Sequence, residues 1–384
     1  MARVIALYLP QFHPIPENDI WWGKGFTEWT NVGKAKPLFK GHYQPRVPAD
    51  LGYYDLRLPE TREAQVELAK EAGIEGFCYY HYWFGEGRRI LEKPFNEVLE
   101  SGKPDFPFCL CWANHSWSNK TWNKSHAFTK DTLFLEQKYP GSKDYTDHFY
   151  AVLDAFKDKR YITVDEKPVF VVYAPLAVPD MQNFIDIWQK LAVSNGLKGI
   201  HFVGMADSTS SIKILDGNIE KRVIPDLNSA AELYQRTLNL GFDAVNSMSK
   251  NRAEMIVRGK YGRIISMIVN KYRLYADTYN YKKIIEHFFV AEDKWDNVYP
   301  TILPQWDRSP RIGKSAGIYI NSTPELFKKN INDALELVKD KPKEKQIIFL
   351  KSWNEWAEGN YVEPDLKFGK GYIYALKECL KSVD

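Results

Sequence analysis

Short apolar runs separated by amphipathic stretches dominate the pattern of this chain. Eight of these runs are typical of buried strands, because each is a continuous apolar segment bounded by polar or turn residues. They are Val4–Leu9, Ile74–Tyr82, Phe106–Trp112, Pro168–Tyr173, Gly199–Met205, Phe242–Val245, Thr301–Trp306 and Gln346–Leu350. Stretches with helical spacing alternate with them: Pro59–Ala72, Lys93–Ser101, Tyr145–Phe156, Pro179–Ser194, Ser229–Leu238, Pro324–Lys339 and Gly369–Leu380.

Strands that alternate with helices predict a parallel sheet, and eight such strands predict an α/β fold that closes into a (β/α)8 TIM barrel. The alternative is an open, doubly wound sheet, which would normally carry a glycine-rich phosphate loop after its first strand. Here the first strand is followed by Pro10-Gln11-Phe12-His13, so the barrel is favoured. We expect residues 1–384 to form one catalytic domain, with long decorating loops at about 14–58 and 246–298.

The charge balance excludes some classes of partner. Lys and Arg number 52 against 49 Asp and Glu, and the net charge of +3 favours neither a nucleic acid nor an anionic membrane surface. No apolar run is long enough to span a bilayer. Because Met1-Ala2-Arg3-Val4 continues into a strand without a leader, we expect a cytoplasmic protein if Met1 is the native start.

Motifs for a metal, a nucleotide or a serine nucleophile are missing from the sequence. The 8 histidines have no H-E-x-x-H or comparable ligand spacing, and neither G-x-S-x-G nor a phosphate-binding G-x-x-x-x-G-K-[ST] occurs. The 4 cysteines include no C-x-x-C pair, so no disulfide framework is expected. We therefore expect neither a metal nor another cofactor.

Aromatic residues are unusually frequent, with 12 Trp, 23 Tyr and 21 Phe, and many of them cluster with polar residues. In a (β/α)8 barrel the catalytic groups come from the carboxyl ends of the strands. At nearly every predicted strand end there are side chains that can stack on a sugar or hydrogen-bond to its hydroxyls. They are Tyr8, His13, Tyr80, His81, Tyr82, Trp112, Asn114, Trp117, Trp306, Asp307, Arg308, Arg311, Trp353 and Asn354. An oligosaccharide or polysaccharide is the expected substrate.

The segment Ser352–Gly359, which follows the last predicted strand, contains two acids and two indoles. A pair of carboxylic acids suits glycosidic-bond chemistry: Glu355 and Glu358 could divide the roles of proton donor and of base or nucleophile, and a Trp face can stack on a sugar ring. The alternative is a turn with two solvated glutamates and two core tryptophans. Similarly, Asp307 and Arg311 could form a structural ion pair or a carboxylate held for sugar hydroxyls.

Together, seven landmarks spread over nearly the whole chain resemble the WbsX-like family, which is related to glycoside hydrolase family 99, the endo-α-mannosidases and endo-α-mannanases. The landmarks are Tyr8–His13, Gly25–Asn31, Gly41–Pro45, Tyr80–Trp83, Trp112–Asn114, Trp306-Asp307 with Pro310-Arg311, and Trp353–Trp356 with Glu358-Gly359. Through the second landmark, the resemblance adds Glu28 and Trp29 to the expected substrate contacts.

The resemblance also implies a retaining mechanism. Glu355 would be the base on the sugar 2-hydroxyl, whose oxygen closes onto the anomeric carbon as a 1,2-anhydro intermediate. Glu358 would be the general acid and then the base, with Asn354 orienting the sugar. Ala357 departs from the His that the hydrolase relatives often carry between the two acids, which puts their mannose-specific contacts in doubt.

Three functions are compatible with these residues. The first is a retaining glycoside hydrolase or transglycosylase acting on α-glycosidic bonds. The second is a glycosyltransferase of O-antigen, capsule or lipopolysaccharide biosynthesis that uses an activated donor. The third is a carbohydrate-binding barrel without catalytic activity. The sugar, the linkage, endo versus exo action and the oligomeric state do not follow from the sequence.

Overall fold

Eight parallel strands close into a barrel in the computed structural model, which describes residues 2–118, 132–207, 213–216, 219–222, 227–259, 262 and 275–381. The strands are β1 Arg3–Tyr8, β2 Gly76–His81, β3 Phe108–Trp112, β4 Lys167–Val172, β5 His201–Asp207, β6 Ala244–Met248, β7 Val298–Ile302 and β8 Ile347–Leu350. Each strand pairs with the next one along the chain. The barrel closes where β8 pairs with β1, with Arg3 opposite Ile347 and Ala6 opposite Leu350. The predicted TIM barrel is confirmed.

A helix follows each strand on the outside of the barrel. These helices are α1 Pro59–Ala72, α2 Lys93–Ser101, α3 Ser142–Phe156, α4 Met181–Ser194, α5 Ala231–Leu238, α6 Tyr281–Ile285, α7 Pro324–Val338 and α8 Gly371–Lys381. The prolines of α1 and α7 occupy the first turn, where a missing N–H is harmless. The side chain of Thr323 caps α7 by accepting a hydrogen bond from the Leu326 N–H at 3.3 Å. The helical stretches of the sequence therefore form the outer layer of the barrel.

Continuous apolar runs form these strands because both of their faces are covered. The side chains of β3 and β8 are buried throughout, those of one face inside the barrel and those of the other against the helices. An aromatic layer fills the space between the strands β3 and β4 and the helices α3 and α4. Trp188 lies at its centre, with its ring centroid 4.6 Å from those of Phe170 and Phe184.

The long segment between β1 and α1 packs over the carboxyl ends of the strands. It contains two short helices, Pro16–Trp22 and Glu28–Gly33. The Thr27 side chain caps the second helix by accepting a hydrogen bond from the Trp29 N–H at 3.2 Å. Farther along, His42 and Gln44 extend to the loop after β7.

The predicted seventh strand is displaced along the chain. The sequence indicated Thr301–Trp306, whereas β7 runs from Val298 to Ile302 and contains Pro300. Proline removes one backbone donor, but Pro300 lies inside this strand. Trp306 and Asp307 consequently lie in the loop beyond β7 and not at its last residue.

The second long insertion, predicted at about 246–298, contains α6 and the short strand Asp277–Asn280, which pairs in parallel with Gly317–Ile320. Residues 260–261 and 263–274 of this insertion lie outside the described residues. In the part of the chain that is described, no helix has both the length and the apolar character needed to cross a membrane.

Candidate active site

A cavity of about 250 Å³ opens at the carboxyl ends of the barrel strands. Residues at or just beyond the ends of β1, β2, β3, β4, β7 and β8 form its wall. They are Leu9, Gln11, Tyr80, Tyr82, Ala113, His115, Trp117, Tyr173, Arg308, Arg311, Lys351, Glu355 and Glu358. We call this space the site cavity, and Glu355 with Glu358 the acid pair.

The guanidinium of Arg311 joins three carboxylates beneath the site cavity. Its Nη1 lies 2.5 Å from Oε1 of Glu358, and its Nη2 lies 3.4 Å from Oε2 of Glu355. Its Nη2 also donates to Oε2 of Glu28 at 2.9 Å. Since one planar guanidinium contacts both members of the acid pair, the two carboxyl groups are held side by side in a fixed orientation.

The electrostatic environments of the two acids differ. Burial, reinforced by the charge of Glu358, raises the pKa of Glu355 to about 7. Burial also acts on Glu358, but Arg308 and Arg311 outweigh it and lower the pKa of Glu358 to about 2. Coupled acids of this kind share one proton over a wide pH range. In the free site this proton resides on Glu355, which is the reverse of the arrangement required for Glu358 to act as a general acid.

The loop after β8 owes its shape to hydrogen bonds of its own polar residues. The Ser352 hydroxyl accepts from the Glu355 N–H at 3.0 Å. The amide of Asn354 accepts from the Leu9 N–H at 2.8 Å and donates to the Leu9 carbonyl at 3.0 Å, which ties β8 to β1. These bonds orient Glu355 toward the site cavity, and they occupy the amide of Asn354 with backbone partners.

Asp307 stabilises the same loop from the β7 side. Its carboxylate accepts from Gln44 at 2.7 Å, lies 2.8 Å from His42 Nε2 and is 3.8 Å from Arg46. Its backbone N–H donates to the Glu358 carbonyl at 2.8 Å. Although burial would raise it, the His42 hydrogen bond and the Arg46 charge lower the pKa of Asp307. The Asp307 carboxylate is therefore part of the framework that holds Glu358.

The aromatic side chains at the end of β2 alternate between the two faces of the strand. Tyr80 and Tyr82 line the site cavity, and the Tyr82 ring packs edge-on against Trp117 at a centroid distance of 5.4 Å. The neighbouring His81 points the other way, where its Nε2 lies 2.8 Å from Nε2 of His148 on α3. Of the predicted site residues, the structure brings seven to the cavity wall: Tyr80, Tyr82, Trp117, Arg308, Arg311, Glu355 and Glu358. Glu28 contacts Arg311 from behind.

The remaining predicted site residues do not line the cavity. Tyr8 donates to Gln65 at 2.6 Å, and the indole N–H of Trp112 donates to the Trp83 carbonyl at 2.9 Å. Asn114 bridges Ala174 and Tyr139 through its amide. The others of this group, which are His13, Trp29, His81, Trp306, Asp307, Trp353 and Asn354, are buried or partly buried in the surrounding framework.

Besides the apolar Leu9 and Ala113, four residues of the cavity wall were not among the predicted site residues: Gln11, His115, Tyr173 and Lys351. A signal for two of them was available in the sequence. Tyr173 ends the fourth predicted strand, and Lys351 follows directly on the eighth, which is where barrel enzymes place functional groups. His115 and Gln11 lie in loops, where sequence periodicity gives no direction for a side chain.

Comparison with known proteins places the chain among carbohydrate-related sequences. A family model described as Glycosyltransferase WbsX matches residues 4–376. The chain is also 31% identical over 381 residues to the Uncharacterized protein WxcX of Xanthomonas campestris pv. campestris. This alignment covers 99% of this chain and 50% of that protein. The chain thus spans about half the length of the curated relatives it matches.

Two solved structures show the same fold. The GH99 endo-alpha-mannosidase from Bacteroides thetaiotaomicron is 13% identical, with a TM-score of 0.57 and coverage of 99% of this chain and 96% of that one. A glycoside hydrolase-like protein is 16% identical, with a TM-score of 0.56 and coverage of 98% and 93%. At these sequence identities, the similarity shows a shared fold alone.

Proposed function

The chain belongs to the glycosyltransferase WbsX family, and from that premise we propose that it is a retaining carbohydrate-active enzyme that acts on α-glycosidic bonds. The acid pair would carry out the chemistry, and the substrate would be an oligosaccharide or polysaccharide. The observation that carries this proposal is the pair of buried carboxyls held by one guanidinium at the carboxyl end of a barrel. Acids in this position, with unequal proton affinities, suit general acid–base catalysis.

In the proposed reaction, the carboxylate of Glu355 takes the proton of the sugar 2-hydroxyl while O2 forms a bond to the anomeric carbon. The bond from the anomeric carbon to the leaving oxygen breaks, and Glu358 gives that oxygen a proton. Glu358 then takes a proton from a water or a sugar hydroxyl, whose oxygen opens the 1,2-anhydro ring, and O2 recovers a proton from Glu355. Two displacements at one carbon give retention.

This division of roles requires the shared proton to lie on Glu358 when the substrate is bound. In the free site the cations around Glu358 favour the opposite arrangement. The proton must therefore change carboxyls upon binding, and the two acids are near neighbours because they contact the same guanidinium. The aromatic wall of Tyr82 and Trp117 would supply apolar surface for a sugar ring.

The test is product analysis on a panel of α-mannans and bacterial O-polysaccharides, with nuclear magnetic resonance to follow the anomeric configuration. We expect Glu355→Gln and Glu358→Gln each to lower turnover by about 10²–10⁴-fold, the usual contribution of a general acid or base. The control is Glu344→Gln, which removes a half-exposed acid beside Arg3 at the other end of the barrel. Normal turnover in both acid-pair variants, or an inverted product, would rule out this mechanism.

A second candidate function is synthesis by transfer from an activated sugar donor. The description of the family as glycosyltransferases supports it, and the cations Arg308 and Lys351 of the site cavity are compatible with a donor phosphate. Calorimetry against a panel of nucleotide sugars separates the two functions. Sugar-dependent binding of a nucleotide donor favours the transferase, and absence of binding across the panel favours the retaining hydrolase or transglycosylase.

A further inference from the structure

Lys351 is a buried cation that has no carboxylate partner among the described residues. Its side chain extends into the wall of the site cavity, and the residue is only 4% exposed. Within the part of the chain that the structure describes, its one hydrogen-bond contact is with the Tyr80 hydroxyl, at a long distance of 3.5 Å. An ammonium group has three donors, and burying it without an ion pair or strong acceptors is costly. The Lys351 ammonium can therefore donate hydrogen bonds to an acceptor group of a ligand in the cavity.

The ammonium of Lys351 is charged at neutral pH. Burial alone would lower its pKa, but Tyr173 and the acid pair raise the pKa above its ordinary value. The neighbouring carboxylates do not come within ion-pair distance, because Glu355 and Glu358 are held by Arg311 on another side of the cavity.

Arg308 adds a second cation to the same cavity. It lies 3.1 Å from Oε1 of Glu358, and its side chain is 32% exposed, which places it near the opening. Arg311, the third cation of the wall, is already bound to Glu28 and to the acid pair. Because Glu355 keeps a proton up to about pH 7, the wall carries more positive than negative charge when the cavity is empty.

We propose that the substrate carries an anionic group, a sugar carboxylate or phosphate, and that this group binds to Lys351 with Arg308 as the second cation. The inference rests on the proposed function, since it names the substrate class of the same cavity. A charge-assisted hydrogen bond is roughly twice as strong as a neutral one. A neutral sugar hydroxyl would leave the buried ammonium only weakly compensated.

An anion in this position would also affect the acid pair. It would offset part of the positive charge that Arg308 and Lys351 exert on Glu358, and a carboxyl becomes easier to protonate when nearby cations are neutralised. The charged groups that face Glu358 include Arg308, Arg311, Lys351, Lys250, Glu355 and Glu28. An acidic substrate would thus favour transfer of the shared proton to Glu358, as the proposed mechanism requires.

The experiment compares one acidic polysaccharide with itself after its uronic acids have been reduced to neutral sugars. Binding of both polymers is measured by affinity electrophoresis and calorimetry, and kcat/KM where turnover occurs. We expect the wild-type protein to bind the acidic form about tenfold or more tightly than the reduced form, the usual effect of a charged hydrogen bond. A third arm uses a polysaccharide with phosphodiester groups, so that preference for carboxylate or for phosphate identifies the source of the charge.

Three variants test which side chains cause the preference for the acidic polymer. Lys351→Met should bring the ratio of acidic to reduced polymer close to one. Arg308→Gln, at a partly exposed position, should lower the ratio in part. Lys138→Met is the matched control, because it removes the same charge from an exposed pair with Glu86 outside the cavity; its ratio should equal that of the wild type.

The outcomes separate this inference from the proposed function. Equal binding of acidic and neutral polymers by the wild type, or a ratio that persists in both Lys351→Met and Arg308→Gln, overturns the inference. Fast cleavage of the reduced polymer overturns it as well and leaves the proposed function intact. Charge-selective binding by a wild-type protein that never turns over any polymer supports the inference and contradicts the proposed function.

Discussion

Gln11 combines complete burial with an unsatisfied side-chain amide. It is 0% exposed and lines the site cavity, and neither amide atom has a hydrogen-bond partner among the described residues. A buried polar group without a partner costs about 1–3 kcal/mol of stability. Such unpaired polar groups are often kept at functional positions because they bind a ligand. An amide, which both donates and accepts, suits adjacent hydroxyls of a sugar.

We therefore predict that Gln11→Leu stabilises the fold by about 1 kcal/mol, because it removes the unsatisfied amide, and weakens binding of the saccharide. Urea unfolding and calorimetry measure the two effects. The matched control is Gln65→Leu, a buried amide that donates to Glu363 at 2.6 Å and accepts from Tyr8 at 2.6 Å, and this variant should lose stability. If Gln11→Leu is destabilised as much as Gln65→Leu, Gln11 serves the fold and not a ligand.

Among single residues, the sequence predicted the acid pair, Arg311, Tyr80 and Tyr82 as site residues, but it did not predict Gln11. The first group has a recognisable chemistry or a strand periodicity of two. Gln11 lies in the stretch Tyr8–His13, but the stretch leaves the pleat of β1 at Leu9. Beyond that point periodicity no longer tells which side chain faces the cavity, so Tyr8 and His13 were predicted instead.

The loop after β8 depends on a glycine at its end. Gly359 has a φ of +61°, and a Cβ there would lie 2.8 Å from both the backbone N and the Cβ of Asp307. A left-handed conformation costs other residues roughly 1–2 kcal/mol, and overpacking a rigid contact costs roughly 1–3 kcal/mol more. Any shift of Asp307 would also move Glu358, because the Asp307 N–H donates to the Glu358 carbonyl.

We predict that Gly359→Ala lowers both stability and turnover, since both costs apply at this position. Gly369→Ala is the control, because Gly369 has a φ of +51° but no atom within 4 Å of an added Cβ. The Gly369→Ala variant should lose only the about 1–2 kcal/mol of stability that a left-handed backbone conformation costs, and it should keep its turnover. Chemical denaturation and activity assays on both variants separate backbone strain from the contact with Asp307. Equal losses in the two variants would show that the contact has no influence.

At the level of elements, the helices and strands of the barrel were predictable because each apolar run is covered on both faces. The predicted helices Pro59–Ala72 and Lys93–Ser101 have the bounds of α1 and α2. Helix α6 was not predicted, since it has only 5 residues and lies in a polar insertion. Such a short segment has too few turns to show a helical period.

For the whole molecule, the contacts that assemble the site cavity join residues far apart in the chain. Glu28 lies 283 positions from Arg311, and His42 lies 265 positions from Asp307. A single sequence contains no signal for such pairs, because local periodicity extends over one element only. The sequence therefore indicated which groups carry chemistry, whereas the arrangement of the framework around them required the structure.

The folded protein as a whole contains two opposing sets of buried titratable groups. Burial lowers the pKa of five histidines, which are His13, His81, His115, His148 and His201. Burial also raises the pKa of Glu355 and of Glu363 to about 7. Below about pH 6.5 the unfolded chain binds protons at the histidines that the folded chain excludes. Between about pH 4.5 and 7 the folded chain retains protons at the glutamates that the unfolded chain has lost.

These two sets predict that stability falls on the acid side of pH 6.5 and changes little between pH 6.5 and 8. As the pH falls below 6.5, the five histidines outweigh the two glutamates and stability decreases, because the unfolded state binds more protons. As the pH rises from 6.5 to 8, the unfolded chain loses its remaining histidine protons, which raises stability, while each glutamate loses its folded-state proton at a cost of roughly 1 kcal/mol, so the two changes largely cancel. Urea unfolding at pH 5, 6.5 and 8 measures this profile. Glu355→Gln removes one of the two glutamate losses, so the stability of this variant relative to the wild type should rise by roughly 1 kcal/mol between pH 6.5 and 8; a constant difference between the two proteins would contradict the raised pKa of Glu355.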